Sequence, residues 1–172
     1  MRLTAYTDYS LRTLIYLALN GPGLATINDI ARSYGISRNH LMKVAHQLGV
    51  VGYVATVRGK NGGLRLARPA TAINLGDVVR RMEPDLALVP CFNPAGTCRI
   101  RSVCTLKGVL GEALGAFLAV LDRYSLADLL APQAALAALL ALPPAAPKAR
   151  AQRHGAGRGR RPPALASRGR ET

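Results

Sequence analysis

ATINDIARSYGISRNHLMKVAHQLGVVGYV, residues 25–54, decides the fold. Thr26 or Asn28 can cap a short helix that runs to Tyr34, and Gly35 supplies a turn. Ser37 can cap a second helix that carries Leu41, Val44, Ala45 and Leu48 on its inward face. Two short helices about a glycine turn, the second opened by polar and basic side chains, predict a helix-turn-helix over about residues 28–50. An ordinary helical hairpin would read the same way so far. The continuation GYVATVRGKNGGLRLARP, residues 52–69, separates the two: it predicts two short strands about a basic, glycine-rich loop, a wing at about 53–67. The expected fold class is mostly α with a small β-hairpin wing, a winged helix-turn-helix followed by a long dimerisation helix.

Working outward, Leu11, Leu14, Ile15 and Ala18 fall on one face of a first helix, and Gly21-Pro22-Gly23 stops it. Residues 1–70 are thus read as one DNA-binding domain. Beyond them, Asn74 can cap a helix through LGDVVRRME, and Pro84, Pro90, Pro94 and Gly96 predict an irregular loop over 84–104. Val109, Leu110, Ala113, Leu114, Phe117 and Leu121 sustain a helix from Thr105 to Tyr124. It is longer than a small domain needs for itself, and is expected to be a dimer seam. Ser125 can cap a last short helix, LADLL. Residues 71–142 therefore hold a loop and dimerisation helices. Residues 143–172 are rich in Pro, Ala, Gly and Arg without apolar periodicity, and are expected to be a disordered basic tail.

Charge points to a partner. The 172 residues carry 23 Lys/Arg against 9 Asp/Glu, a formal +14. Residues 1–70 hold +7, residues 71–142 are neutral, and residues 143–172 hold another +7. Such positive regions are either solvated surface or the footprint of a phosphate-binding face. With no Trp, two Phe and six Tyr, aromatics are too scarce to favour a stacking platform for single strands, and the helix-turn-helix with its wing predicts double-stranded DNA as the partner. Arg38, Asn39, His40 and Lys43 are expected to face the major groove, while Arg58, Lys60 and Asn61 reach the flanking backbone or minor groove. His46 reads as surface. The N-terminus has no apolar signal region, and Asp128 and Pro132 interrupt the apolar stretch near 126–142. A soluble, cytoplasmic protein without a membrane partner is expected.

All three cysteines, Cys91, Cys98 and Cys104, lie in the 84–104 loop with spacers of six and five residues. An odd count argues against a disulfide framework, and the spacers are too long for zinc knuckles. Either they are three reduced structural thiols, or three thiolates wrap irons of an iron–sulfur cluster and leave one iron for another ligand. Asp8, in the first turn of the first helix, suits the helix dipole and can pair with Arg12 at i+4. No Rossmann fingerprint, P-loop or Ser/His/Asp arrangement supports an enzyme.

RLTAYTDYSLRTLIYLA, GISRNHLMKVAHQLGVVGYV, VRGKNGGLRLARPA, GDVVRRMEP and LDRYSLADL, with the cysteine triplet among them, resemble the NsrR family of nitric-oxide-sensing repressors. That family lies in the winged-helix superfamily that also contains IscR. The resemblance covers roughly residues 1–130. It implies a homodimeric repressor of a palindromic operator, with one iron–sulfur cluster per subunit and nitric oxide as the signal. It carries the cluster to Cys91, Cys98 and Cys104, the fourth ligand to Asp8 from the partner subunit, and Arg12 to the second shell. A single asymmetric ligand inclines the cluster to 4Fe-4S over 2Fe-2S. IscR-like members carry a His three residues after the last Cys, where this chain has Lys107, which weighs against the alternative, an iron-sulfur or iron-supply sensor of the same superfamily.

Overall fold

The computed structural model of the chain describes residues 2–93 and 98–142. The expected tail, 143–172, and Pro94 and Gly96 of the loop lie outside the described residues. Helices α1 (Ala5–Leu19), α2 (Ile27–Tyr34) and α3 (Arg38–Val50) come first, then strands β1 (Val54–Val57) and β2 (Gly63–Leu66). Helices α4 (Leu75–Met82), α5 (Thr105–Asp122) and α6 (Gln133–Leu139) follow. The sheet is an antiparallel pair, with Val54 opposite Leu66 and Val57 opposite Gly63. Two bonds between Ala25 and Leu64 (3.0 and 2.8 Å) fasten β2 to the start of α2, so the wing is pinned to the helix-turn-helix.

The caps explain where the helices begin. Thr26, not Asn28, opens α2: its hydroxyl accepts from the Asp29 amide, and Asp29 in return accepts from the Thr26 amide at 3.0 Å. Gly35 ends α2 with φ +64°, a conformation that Cβ-bearing residues disfavour, and lets α3 cross α2. Ser37 does precede α3, but its side chain makes no capping bond. Leu41, Val44, Ala45 and Leu48 are buried as their spacing predicts.

Helix α1 departs from the expected stripe. Leu14 is fully buried, but Leu11, Ile15 and Ala18 only flank the core, and the innermost line runs through Thr7, Ser10, Thr13, Leu14 and Leu17. The hydroxyls tolerate burial because Ser10 donates to the Tyr6 carbonyl (2.8 Å) and Thr13 to that of Tyr9 (2.7 Å). Their small size lets neighbouring elements come close.

Asn74 caps α4 through the Asp77 amide, and its side-chain amide donates to the Asp122 carbonyl at 2.7 Å. Arg80 grips the Asp122 carboxylate with two bonds of 2.6 Å, which fixes the far end of α5 on α4. Leu126–Leu130, expected as an α-helix, is a 3-10 helix that Ser125 and Asp128 cap reciprocally. α6 was not foreseen. None of the residues of α5 is buried, and Leu106 and Val109 are about 60% exposed, so an apolar face is left without cover among the described residues.

The root of the wing is locked to α4. Tyr53 is 1% exposed, and its hydroxyl donates to Asp77 at 2.6 Å while Arg81 donates to the other oxygen at 2.9 Å. Arg68 lies over the Tyr53 ring and donates twice to the Gly52 carbonyl. The Tyr53 bond is the main cause that holds the Asp77 carboxyl below its usual range, whereas burial first and that bond second push the phenol up. A depressed carboxyl stabilises the fold above its unfolded value near pH 4 and loses that contribution as pH falls through its folded value. Tyr53→Phe should therefore cost about 1–2 kcal/mol at pH 7, the lower end reflecting the partial exposure of Asp77. It should also flatten the acid limb below about pH 4; urea melts at pH 7 and pH 3 measure both.

Candidate DNA-reading surface and cysteine loop

The exposed residues of α3 are Arg38, Asn39, His40, Met42, Lys43 and His46, with Gly49 and Val50 at its end. The four residues expected to face the groove are thus on the open side of the helix, opposite its buried leucines. Arg58, Lys60 and Asn61 are exposed at the hairpin tip, where Gly59 takes φ +114° in the turn. From Ile30 to Gly76 there is no acidic side chain, while Arg32, Arg38, Lys43, Arg58, Lys60, Arg65 and Arg68 fall in that span. Among the described residues none of these seven belongs to an ion pair, whereas Arg12, Arg80 and Arg81 are each held by an Asp. The cations of α3 and the wing are therefore available to an outside anion, which is what a phosphate backbone requires.

Residues the sequence reading passed over support this surface. The Tyr6 hydroxyl donates to the Lys43 carbonyl (3.2 Å), and the Tyr9 ring lies 6.1 Å from the His40 ring. The first turn of α1 thus backs the first half of α3. Arg65, exposed on β2, adds a further cation beside the tip. The signal for it was the alternation of β2, which puts Leu64 inward and Arg65 outward.

The cysteines sit apart from the core. Cys91 is in a single 3-10 turn, Pro90–Phe92; Cys104 stands at the position that precedes α5, and Cys98 lies between them. All three are free thiols, Cys98 exposed and the others half-buried. Among the described residues no three His, Cys, Asp or Glu side chains converge closely enough for one metal ion. As a donor set it nevertheless suits iron: three free thiols in one loop and no competing disulfide. Asp8 is on α1, where Arg12 Nε holds its carboxylate at 2.9–3.0 Å. That bond leads the causes that raise the Arg12 pKa, and the guanidinium also lies 5.8 Å over the Tyr34 ring.

A winged helix with a bare cationic reading helix and wing is a DNA-binding regulator of transcription. Comparison with known proteins narrows the class. The family model described as Rrf2, iron-dependent transcriptional regulator, matches residues 3–132, and the chain belongs to that family. It is 56% identical over 131 residues to the HTH-type transcriptional regulator NsrR of Bacillus subtilis, covering 75% of this chain and 90% of the relative. Against NsrR of Halalkalibacterium halodurans the identity is 51% over 146 residues, 84% of this chain and all of the relative. Among solved structures, T. potens IscR superposes with a TM-score of 0.63 at 27% identity, covering 77% of this chain and 88% of that one. CymR of B. subtilis, titled a global cysteine regulator, gives 0.61 at 25% identity over 75% and 95%. These relatives are regulators rather than enzymes, and among the described residues no helix is long and apolar enough to cross a membrane.

The wing offers the simplest check. Arg58→Ala should weaken binding to a duplex selected by this protein from a random pool by about 1–3 kcal/mol and lower the salt slope by about one. Affinities equal to the parent's at every salt concentration would remove the wing tip from the interface.

Proposed function

We propose that the chain is a cytoplasmic, homodimeric repressor whose hold on a palindromic operator depends on an iron–sulfur cluster and is released by nitric oxide, relieving repression of nitrosative-stress genes. The observation that carries this is the cysteine triplet in an uncovered loop, within a chain more than half identical to an NsrR regulator over three quarters of its length. Lys107, at the place of the IscR-like His, favours it over the iron-supply reading.

Cys91, Cys98 and Cys104 would hold one cluster per subunit as thiolates, with Asp8 of the partner subunit as the fourth ligand. Four irons suit this set better than two, since three thiolates leave one iron for a single carboxylate. When bound, the cluster supplies iron that reacts with nitric oxide. A hard carboxylate yields more readily than a thiolate, so Asp8 is the ligand suited to release. Arg12 holds the carboxylate in place through a charge-assisted bond. The uncovered apolar face of α5 provides the dimer seam that sets two reading helices at half-site spacing. Arg38, Asn39, His40 and Lys43 read the groove, with Arg58, Lys60 and Asn61 flanking. The chain's own requirement is an element with two arrangements that ligand occupancy biases.

Anaerobically purified protein should be brown and should lose its visible absorption on nitric oxide addition. Cys98→Ser should be colourless while keeping its far-ultraviolet spectrum. A colourless parent that takes up no iron and sulfide on reconstitution would overturn the cluster. Asp8→Ala should retain colour, yet its operator affinity should no longer respond to nitric oxide. If it switches as the parent does, Asp8 only complements the helix dipole and pairs with Arg12, and its loss costs only roughly 0.5–1 kcal/mol of stability.

A further inference from the structure

One cavity is lined by neither the cysteines nor the named residues of α3 and the wing. It encloses about 440 Å³ between the end of α1, α2 and the α6 end, within the usual size range for a small-molecule site. Tyr16 of α1 and Asn20 just past its end line it, with Asp29, Arg32 and Ser33 from α2, and Leu139–Ala141 close one side.

Its polar groups are arranged for a ligand rather than for the fold. The Asn20 side-chain nitrogen is buried and has no hydrogen-bond partner, a costly state for a donor unless something outside the chain satisfies it. The Arg32 guanidinium is exposed, without an ion pair, at the edge. Asp29 spends one carboxylate oxygen on Thr26 and leaves the other free, and these bonds hold its carboxyl below the usual range. One side of the cavity is under tension: Ala141 takes φ 50°, unusual for a residue with a Cβ, next to the Leu140 carbonyl that accepts from Ser33 at 2.9 Å.

We propose that this cavity binds a small zwitterion of the free α-amino acid class, its carboxylate taken by Arg32 and the Asn20 amide and its ammonium by Asp29. Arg32 and Asp29 are one turn apart on the same helix, so the two charges meet the two ends of one ligand. A ligand there would join α2, the first helix of the helix-turn-helix, to α6. It would thus act on the DNA-binding domain by a route that involves neither the cysteines nor Asp8.

The test is a thermal melt of the full chain, free of any cluster, against each of the twenty L-amino acids at millimolar concentration, with acetate and ethylamine as single-charge controls. At least one amino acid should raise Tm by several degrees in a saturable way, with both controls inactive. Arg32→Gln and Asn20→Leu should each abolish the shift. Asn20→Leu should at the same time raise the ligand-free Tm, because it removes a buried donor without a partner. No shift with any of the twenty, an equal shift with acetate, or a shift that survives both substitutions would overturn the proposal. Colour and nitric oxide response are not read in this experiment, so its failure leaves the cluster reading untouched.

Discussion

Leu14 and Leu17 are 0% and 1% exposed, and around them α3, α4, β2, α6 and the 3-10 turn at Leu126–Leu130 all meet α1. Burial of that one face sets the rest. Each fully buried leucine contributes about 1.5–3 kcal/mol by leaving water, and the hydroxyls of Thr7, Ser10 and Thr13 let the neighbours approach without leaving a donor unsatisfied. The same helix carries Tyr6 and Tyr9 against α3 and holds Asp8 and Arg12 on its open side. A helix central to the core thus presents both the support for the reading helix and the carboxylate expected at the sensor.

What the sequence made legible follows from how each element is stabilised. The leucine–valine stripe of α3 has a polar reverse side, so its period shows at once, and the wing shows in strand alternation about a glycine loop. α1 misled because its inner face is partly hydroxyl, and a reading by apolar type cannot see a Ser satisfied by its own helix. α6 was missed because QAALAAL has no polar face and no capping side chain, and Pro132 looked like a stop. Tyr53, Asp77, Arg81 and Arg68 form one network over residues far apart in sequence, and no local pattern announces it.

The candidate site divides along the same line. The exposed cationic face proposed to read DNA was legible because solvent exposure and positive charge are written locally, and the structure puts Arg38, Asn39, His40 and Lys43 on one open face. The cysteine site is different in kind. Its spacing suggests a shared ligand, but among the described residues no three such donors group closely enough for one metal ion, and the proposed fourth donor belongs to another subunit. The uncovered apolar face of α5 and the fourth donor expected from another subunit are the features on which the proposed homodimer rests.

The central claim is that the cysteine loop governs the reading surface. It is tested most directly by operator affinity of the same anaerobic preparation before and after nitric oxide, at fixed salt. The account predicts that affinity falls roughly 5- to 150-fold, the span of a coupling free energy of about 1–3 kcal/mol, while the protein remains dimeric. Equal affinity before and after, in protein whose visible absorption has been lost, would contradict it.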